Sequence, residues 1–206
     1  MDASPVHGRP IRSFVAIEVE EPARGAILDY LTELRQRVEH VVWARPQNLH
    51  VTLKFLGGVA PEQLAPLAER LAAIAAARPR FAVAYAGVGA FPEVVRPQVL
   101  WVGAVAPELA RLAAAVDEMS VLAGVEAERR PYHAHVTLGR VRGARAGRRR
   151  SSPDRQTHSG MFDVVAVDGT RGFGVAPATA LVLFRSDTGG DGARHTALAR
   201  LALGYE

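Results

Sequence analysis

Apolar residues gather in the middle of Ile11 to Val19, as Phe14, Val15, Ala16 and Ile17, and the loose alternation around them predicts a first strand. Pro22 then opens a helical pattern, with Ile27, Leu31, Leu34 and Val38 at helix spacing. A short strand over Val41 to Ala44 and a turn at Pro46 to Asn48 lead into a well-alternating run, Leu49 to Leu56, that stops at Gly57-Gly58. Pro61 starts a second helix, with Leu64, Leu67, Leu71 and Ile74 on one face. Phe81 to Ala90 and Gln98 to Val105 read as strands joined by a Pro-containing turn. A third helix follows from Pro107, carrying Leu109, Leu112, Val116 and Met119. His133 to Val141 reads as a strand, and further strands are expected within Met161 to Val167, Ala178 to Ser186 and His195 to Leu203. Strands and helices mix without strict β–α–β alternation, so the pattern predicts an α+β fold with largely antiparallel sheets.

One tetrapeptide occurs twice. His50-Val51-Thr52-Leu53 returns as His135-Val136-Thr137-Leu138, each inside a predicted strand. Side chains alternate along a strand, so each copy turns an imidazole and a hydroxyl to one face and two apolar side chains to the other. Should the two strands meet, two imidazoles and two hydroxyls converge on a site suited to a phosphate. An imidazole titrates near pH 6.5, so one ring can be neutral while the other is charged. Opening a cyclic phosphodiester needs such a pair: a base for the attacking water and an acid for the departing ribose oxygen. The threonine hydroxyls suit the charge that builds on the non-bridging oxygens.

Composition narrows the alternatives. The chain has 206 residues and no cysteine, which excludes disulfides, thiolate nucleophiles and Cys-ligated zinc. Positive charge is almost all arginine, Lys54 being the only lysine, and the sequence pI is near 10.1. A basic surface suits a polyanion such as RNA, although an Arg-rich, Ala-rich composition is by itself an equally good explanation. Neither glycine-rich phosphate-loop pattern is present, so ATP and dinucleotides are not expected by those routes. Met1 to Pro10 lacks the apolar stretch of a secretory signal and no run is long enough to span a bilayer, which predicts a cytoplasmic protein.

The duplicated motif and its flanks resemble the two-histidine (2H) phosphoesterase superfamily, in particular the bacterial and archaeal RNA 2',3'-cyclic phosphodiesterases historically called 2'-5' RNA ligases. The resemblance runs from Arg12-Ser13-Phe14-Val15-Ala16-Ile17 through Trp43-Ala44-Arg45-Pro46 and Asn48 to Gly57. It continues with Phe91-Pro92, Arg96-Pro97, Leu100-Trp101, His135 to Arg140 and Leu183-Phe184-Arg185-Ser186. It implies a single bilobal domain over residues 1–206, with pseudo-two-fold symmetry, helices on the outer faces and a central cleft. Residues 1–10 are expected to form a flexible N-terminus and 142–160 an exposed Arg-rich loop. The implied reaction opens a terminal 2',3'-cyclic phosphate to a 2'-phosphate, with His50 as proton donor, His135 as proton acceptor, and Thr52 and Thr137 holding the phosphate. No metal or other cofactor is implied, and the reverse step, 2'-5' ligation, needs no ATP. A monomer acting on RNA with a cyclic phosphate end is the simplest expectation. Where the family often has an aromatic residue after a glycine, this chain has Gly192-Ala193-Arg194-His195.

Other residues carry weaker expectations. Arg140 is expected to add a charged contact to the phosphate. Lys54 shares a strand face with His50 and Thr52 on simple alternation and is a further candidate for substrate binding. His133 stands on the same face as His135, as a rim residue or, with His135 and His50, as part of a three-histidine zinc set. Trp43, Phe14, Tyr132 and Trp101 are candidates for stacking a base, Tyr132 foremost, while Phe55 reads as core. His7, His40, His158 and His195 read as surface residues. Two other functions stay open: a phosphodiesterase for small cyclic phosphates such as ADP-ribose 1'',2''-cyclic phosphate, and a non-catalytic RNA-binding module.

Overall fold

The computed structural model describes residues 9–94, 97–141, 163–189 and 192–204. The expected Arg-rich loop at 142–160 lies outside these residues, as do residues 1–8 of the expected N-terminal segment. In chain order the elements are β1 (Ile11–Glu18), α1 (Ala23–Arg37), β2 (Val41–Trp43), β3 (His50–Val59), α2 (Pro61–Ala76) and β4 (Phe81–Phe91). There follow β5 (Val99–Val105), α3 (Pro107–Leu122), β6 (His135–Val141), β7 (Gly172–Ala178), β8 (Ala180–Gly189) and β9 (Gly192–Ala202). Pro61 and Pro107 open α2 and α3, where the missing N–H costs nothing because those first donors have no partner inside a helix. The stretch 163–168 is helical rather than extended. Its β-branched residues favour a strand, but Asp168 at its end accepts hydrogen bonds from Tyr30 (2.9 Å) and Arg37 (2.8 Å) of α1, and that tertiary anchorage prevails.

The strands follow the order β7-β4-β5-β6-β3-β1-β8-β9, with β2 added beside β6, and each of these pairings is antiparallel. The two expected sheets are the two four-stranded halves of this path. They meet through one residue pair, Val51 of β3 with Val136 of β6. Beyond it β2 occupies the edge of β6 from Gly139 to Val141, so β3 and β6 part and a cleft opens.

Helices cover one face. α1 follows β1 of one half yet packs on β7 of the other; α3 follows β5 and packs on β3; α2 lies against β8 and β9. The halves therefore share one core, built from Val15, Ile17, Val51, Leu100, Val102, Val136 and Leu138 of the strands and Ile27, Leu31, Leu71, Leu112 and Val116 of the helices. Each such side chain contributes about 1.5–3 kcal/mol on burial. A smaller cluster, Phe14, Ala16, Val182 and Phe184, lies on the opposite face of the sheet and makes the floor of the cleft in one half. Among the described residues no helix is long and apolar enough to cross a membrane.

Candidate active site

The Val51–Val136 pair organises the site. Both valines are fully buried in the main core, so His50, Thr52, His135 and Thr137, one step away on either side, emerge on the opposite face. Antiparallel register then sets His50 across from Thr137 and Thr52 across from His135. The imidazoles occupy one diagonal and the hydroxyls the other, and side chains so related stand about 7–8 Å apart at the backbone. Such a span leaves room for one tetrahedral anion between the rings.

Both rings are oriented alike. His50 Nδ1 lies 2.7 Å from the carbonyl of Asn48, and His135 Nδ1 lies 2.7 Å from the carbonyl of His133. A carbonyl only accepts, so Nδ1 carries the proton in each ring and Nε2 is left as the acceptor nitrogen. The same two-residue back-bond in both copies makes the pair chemically equivalent in geometry.

Their surroundings also correspond. Ring centroids place His50 4.9 Å from Phe14, 5.9 Å from Phe184 and 5.3 Å from His195. His135 lies 5.0 Å from Phe91, 6.2 Å from Trp101 and 5.9 Å from His133. Each motif imidazole thus stands on two aromatic rings with one further imidazole beside it. His195, expected at the surface, belongs here, because β9 pairs with β8 and carries it over Phe14 (4.9 Å). Gly192 to His195 is where the chain departs from the family pattern, and the β8–β9 hairpin together with the pairing of β8 with β1 brings the ring in.

Trp101 can lie flat in the floor because β4 has glycine opposite it: a Cβ on Gly89 would fall 2.2 Å from the indole Cζ2. Gly89→Ala is expected to displace the indole, to cost about 1–3 kcal/mol by overpacking, and to reduce turnover through loss of support for His135. Denaturant unfolding and steady-state kinetics on the same variant would check it; unchanged values in both would show that the indole yields freely.

Electrostatics favour neutral rings in the empty site. Burial, then the neighbouring His195, holds His50 down at about 4, while the bond to the Asn48 carbonyl works the other way and His135 and Arg140 add to the lowering. His135 is lowered too, chiefly by burial. A bound anion reverses this by favouring imidazolium, so binding takes up protons. Sulfate, dianionic throughout, is therefore expected to bind more tightly as pH falls below about 6.5 toward 4, by up to about tenfold per unit for each proton taken up. Calorimetry in buffers of different ionisation enthalpy measures this uptake; affinity flat between pH 8 and 5 would contradict it.

Both motifs end in a β-bulge, which resets the facing of the residues beyond. Thr52 pairs with Ala16 but Lys54 with Val15, which leaves Leu53 as an extra residue. Likewise Thr137 pairs with Trp101 but Gly139 with Leu100, which leaves Leu138 extra. Past the bulge the faces exchange. Lys54, expected beside His50, instead points into the core side: it is 5% exposed, ion-paired with Asp117 of α3 at 2.5 Å and donating to the Glu126 carbonyl at 2.7 Å. Phe55, expected in the core, is 57% exposed on the cleft side, its ring 6.0 Å from that of Phe14. Arg140 holds the position equivalent to Phe55 in the second copy, and its charge acts on both imidazoles.

Tyr132, foremost among the stacking candidates, packs against the main core and donates from its hydroxyl to the Thr52 carbonyl (3.3 Å), so its ring is committed to bracing the first motif. Trp43 also packs against the core, over Gly139. His133 is exposed beside Trp101 (4.7 Å) and Phe91 (5.2 Å), on the rim of the site. Among the described residues no group of three His, Asp or Glu side chains is arranged to hold a metal ion.

Comparison with known proteins places the chain in a family. Residues 18–101 match the family model described as LigT like phosphoesterase. The RNA 2',3'-cyclic phosphodiesterase of Archaeoglobus fulgidus is 40% identical over 133 residues, which cover 64% of this chain and 73% of that protein. The protein of the same name from Aeropyrum pernix is 38% identical over 121 residues, 56% of this chain and 68% of that one. Among solved structures, TT0787 of Thermus thermophilus superposes with a TM-score of 0.73 at 26% identity, over 95% of this chain and all of that one. E. coli LigT complexed with 3'-AMP gives 0.68 at 25% identity, over 94% and 98% of the two chains. With its two-histidine cleft and these relatives, the chain belongs to the LigT-like phosphoesterase family.

Proposed function

We propose that this protein hydrolyses RNA ends bearing a 2',3'-cyclic phosphate to 2'-phosphomonoesters by acid–base catalysis between His50 and His135. The observation that carries the reading is the diagonal placement of two imidazoles, each with Nδ1 tied to a carbonyl and Nε2 free, across the Val51–Val136 pair. The phosphate sits between the rings, its non-bridging oxygens taking hydrogen bonds from Thr52 and Thr137, with the Arg140 charge nearby. His135, neutral, takes a proton from water at Nε2 as the water oxygen attacks phosphorus. His50, charged, gives its Nε2 proton to the 3' oxygen leaving on the far side. Burial makes the His50 imidazolium acidic, so it releases that proton readily once the anion has drawn it on. The relatives named for this activity support the substrate class. With a 5'-hydroxyl in the place of water as nucleophile, the same ring opening, with the 3' oxygen leaving, gives a 2'-5' linkage without ATP.

The test is incubation with an oligonucleotide ending in 2',3'-cyclic phosphate in the presence of a chelator, the product being assigned by phosphorus NMR. Quantitative formation of the 2'-phosphate is expected. Absence of turnover, or turnover that stops on chelation and returns with zinc or manganese, would overturn the proposal.

A further inference from the structure

Between β3 and β6 the backbone supplies only the Val51–Val136 pair. Residues 125–134, which lead from α3 into β6, form neither helix nor strand, so no ladder fixes their distance from β3. Two side chains stand in place of the missing rungs. The Tyr132 hydroxyl donates to the Thr52 carbonyl (3.3 Å), and the Lys54 ammonium, paired with Asp117, donates to the Glu126 carbonyl (2.7 Å). Both bonds run from β3 to the segment that enters β6.

We infer that Tyr132 is a positioning residue for the acid–base pair: with Lys54 behind it, it sets the separation of the His50 and His135 imidazoles to suit the transition state. The inference rests on the cyclic-phosphate reading given above. Connectivity is the first argument. The Tyr132 hydroxyl holds the peptide of Thr52, two residues from His50, while its own peptide adjoins His133, whose carbonyl orients the His135 ring. One side chain thus touches both motifs. Its ring packs against the main core, and an aromatic side chain has only two rotatable bonds, so it serves as a stiff spacer. Burial raises the pKa of the hydroxyl, which keeps it a donor.

The geometry of the reaction is the second argument. In-line attack puts the entering and leaving oxygens at the two apices of a five-coordinate phosphorus. That state reaches further from ring to ring than the tetrahedral ground state does. A clamp on ring separation therefore acts mainly on the transition state, where stabilisation raises kcat rather than lowering KM. Misplacement by about 1 Å costs up to about 10²-fold. A single hydroxyl is enough to matter.

The experiment compares the wild type with Tyr132→Phe, which keeps the ring and removes one donor, with Lys54→Met, and with the double variant. On an oligonucleotide with a cyclic phosphate end, Tyr132→Phe is expected to lower kcat about 10–10²-fold and to leave KM within about twofold. Calorimetry at one pH supplies a readout independent of turnover, with sulfate standing for the ground state. The five-coordinate complex of vanadate with uridine stands for the transition state. Tyr132→Phe is expected to bind sulfate within about twofold of the wild type and the vanadate complex at least about tenfold more weakly. Lys54→Met is expected to act in the same sense, and the double variant to lose more than either single. An unchanged kcat in Tyr132→Phe would overturn the inference. So would sulfate and vanadate affinities that fall together, because a general loosening of the cleft does not discriminate between the two states. A wild type that prefers the vanadate complex to sulfate, and loses that preference in Tyr132→Phe, yet opens no cyclic phosphate would refute the catalytic reading alone.

Discussion

Replacing His50 or His135 by alanine will lower turnover of a 2',3'-cyclic phosphate end by about 10²–10⁴-fold in each case, with little change in stability. Each ring supplies one of the two proton transfers, and its Nδ1 bond to a local carbonyl fixes orientation rather than holding elements together. The double variant is expected to be little worse than the poorer single, because an acid and a base acting in one transition state do not contribute independently. Thr52→Val and Thr137→Val each remove one donor to the phosphate and should cost up to about 10²–10³-fold. The measurements are steady-state kinetics with circular dichroism as a check on folding. Full turnover in both His50→Ala and His135→Ala would end the acid–base account.

The largest effect on stability is expected from Asp117→Ala, at about 3–5 kcal/mol, because it strands the Lys54 ammonium in the core side of the sheet. Lys54 is 5% exposed and its partners are the Asp117 carboxylate and the Glu126 carbonyl. Asp117 also accepts from the backbone N–H of Glu128 (3.1 Å), so one buried charge ties β3, just past the first motif, to α3 and to the segment leading into the second. Lys54→Met should cost much less. It places an apolar chain of similar length in an apolar setting, and the Asp117 carboxylate it leaves behind is partly open to water. Urea unfolding of both singles and the double distinguishes these outcomes; equal losses in the two singles would mean that the ammonium finds water or another partner.

The duplicated tetrapeptide made the geometry of the cleft legible in advance. Alternation from His50 to Thr52 and from His135 to Thr137 correctly set imidazole and hydroxyl on one face, because both stretches are regular strand up to the bulge. One residue later the same reasoning failed for Lys54 and Phe55. The bulge at Leu53 adds a residue without any glycine or proline to announce it, and parity is lost for everything beyond. β7 went unread because Gly172, Gly174 and Pro177 interrupt its apolar residues, and pairing with β4 outweighs them. His195 was read as a surface residue for a different reason: its neighbours along β9 show no clear apolar pattern, and it reaches Phe14 because β8, its hairpin partner, pairs with β1 near the other end of the chain.

The lone Val51–Val136 contact has a consequence for assembly. The residues it joins stand 85 positions apart in the chain, and the proposed catalytic groups come half from one side of that seam, His50 and Thr52, and half from the other, His135 and Thr137. Closing so distant a pair is slow compared with forming either hairpin or helix. During refolding, enzymatic competence should therefore emerge after most of the far-ultraviolet signal has returned, which makes turnover a late clock for the chain rather than an early one.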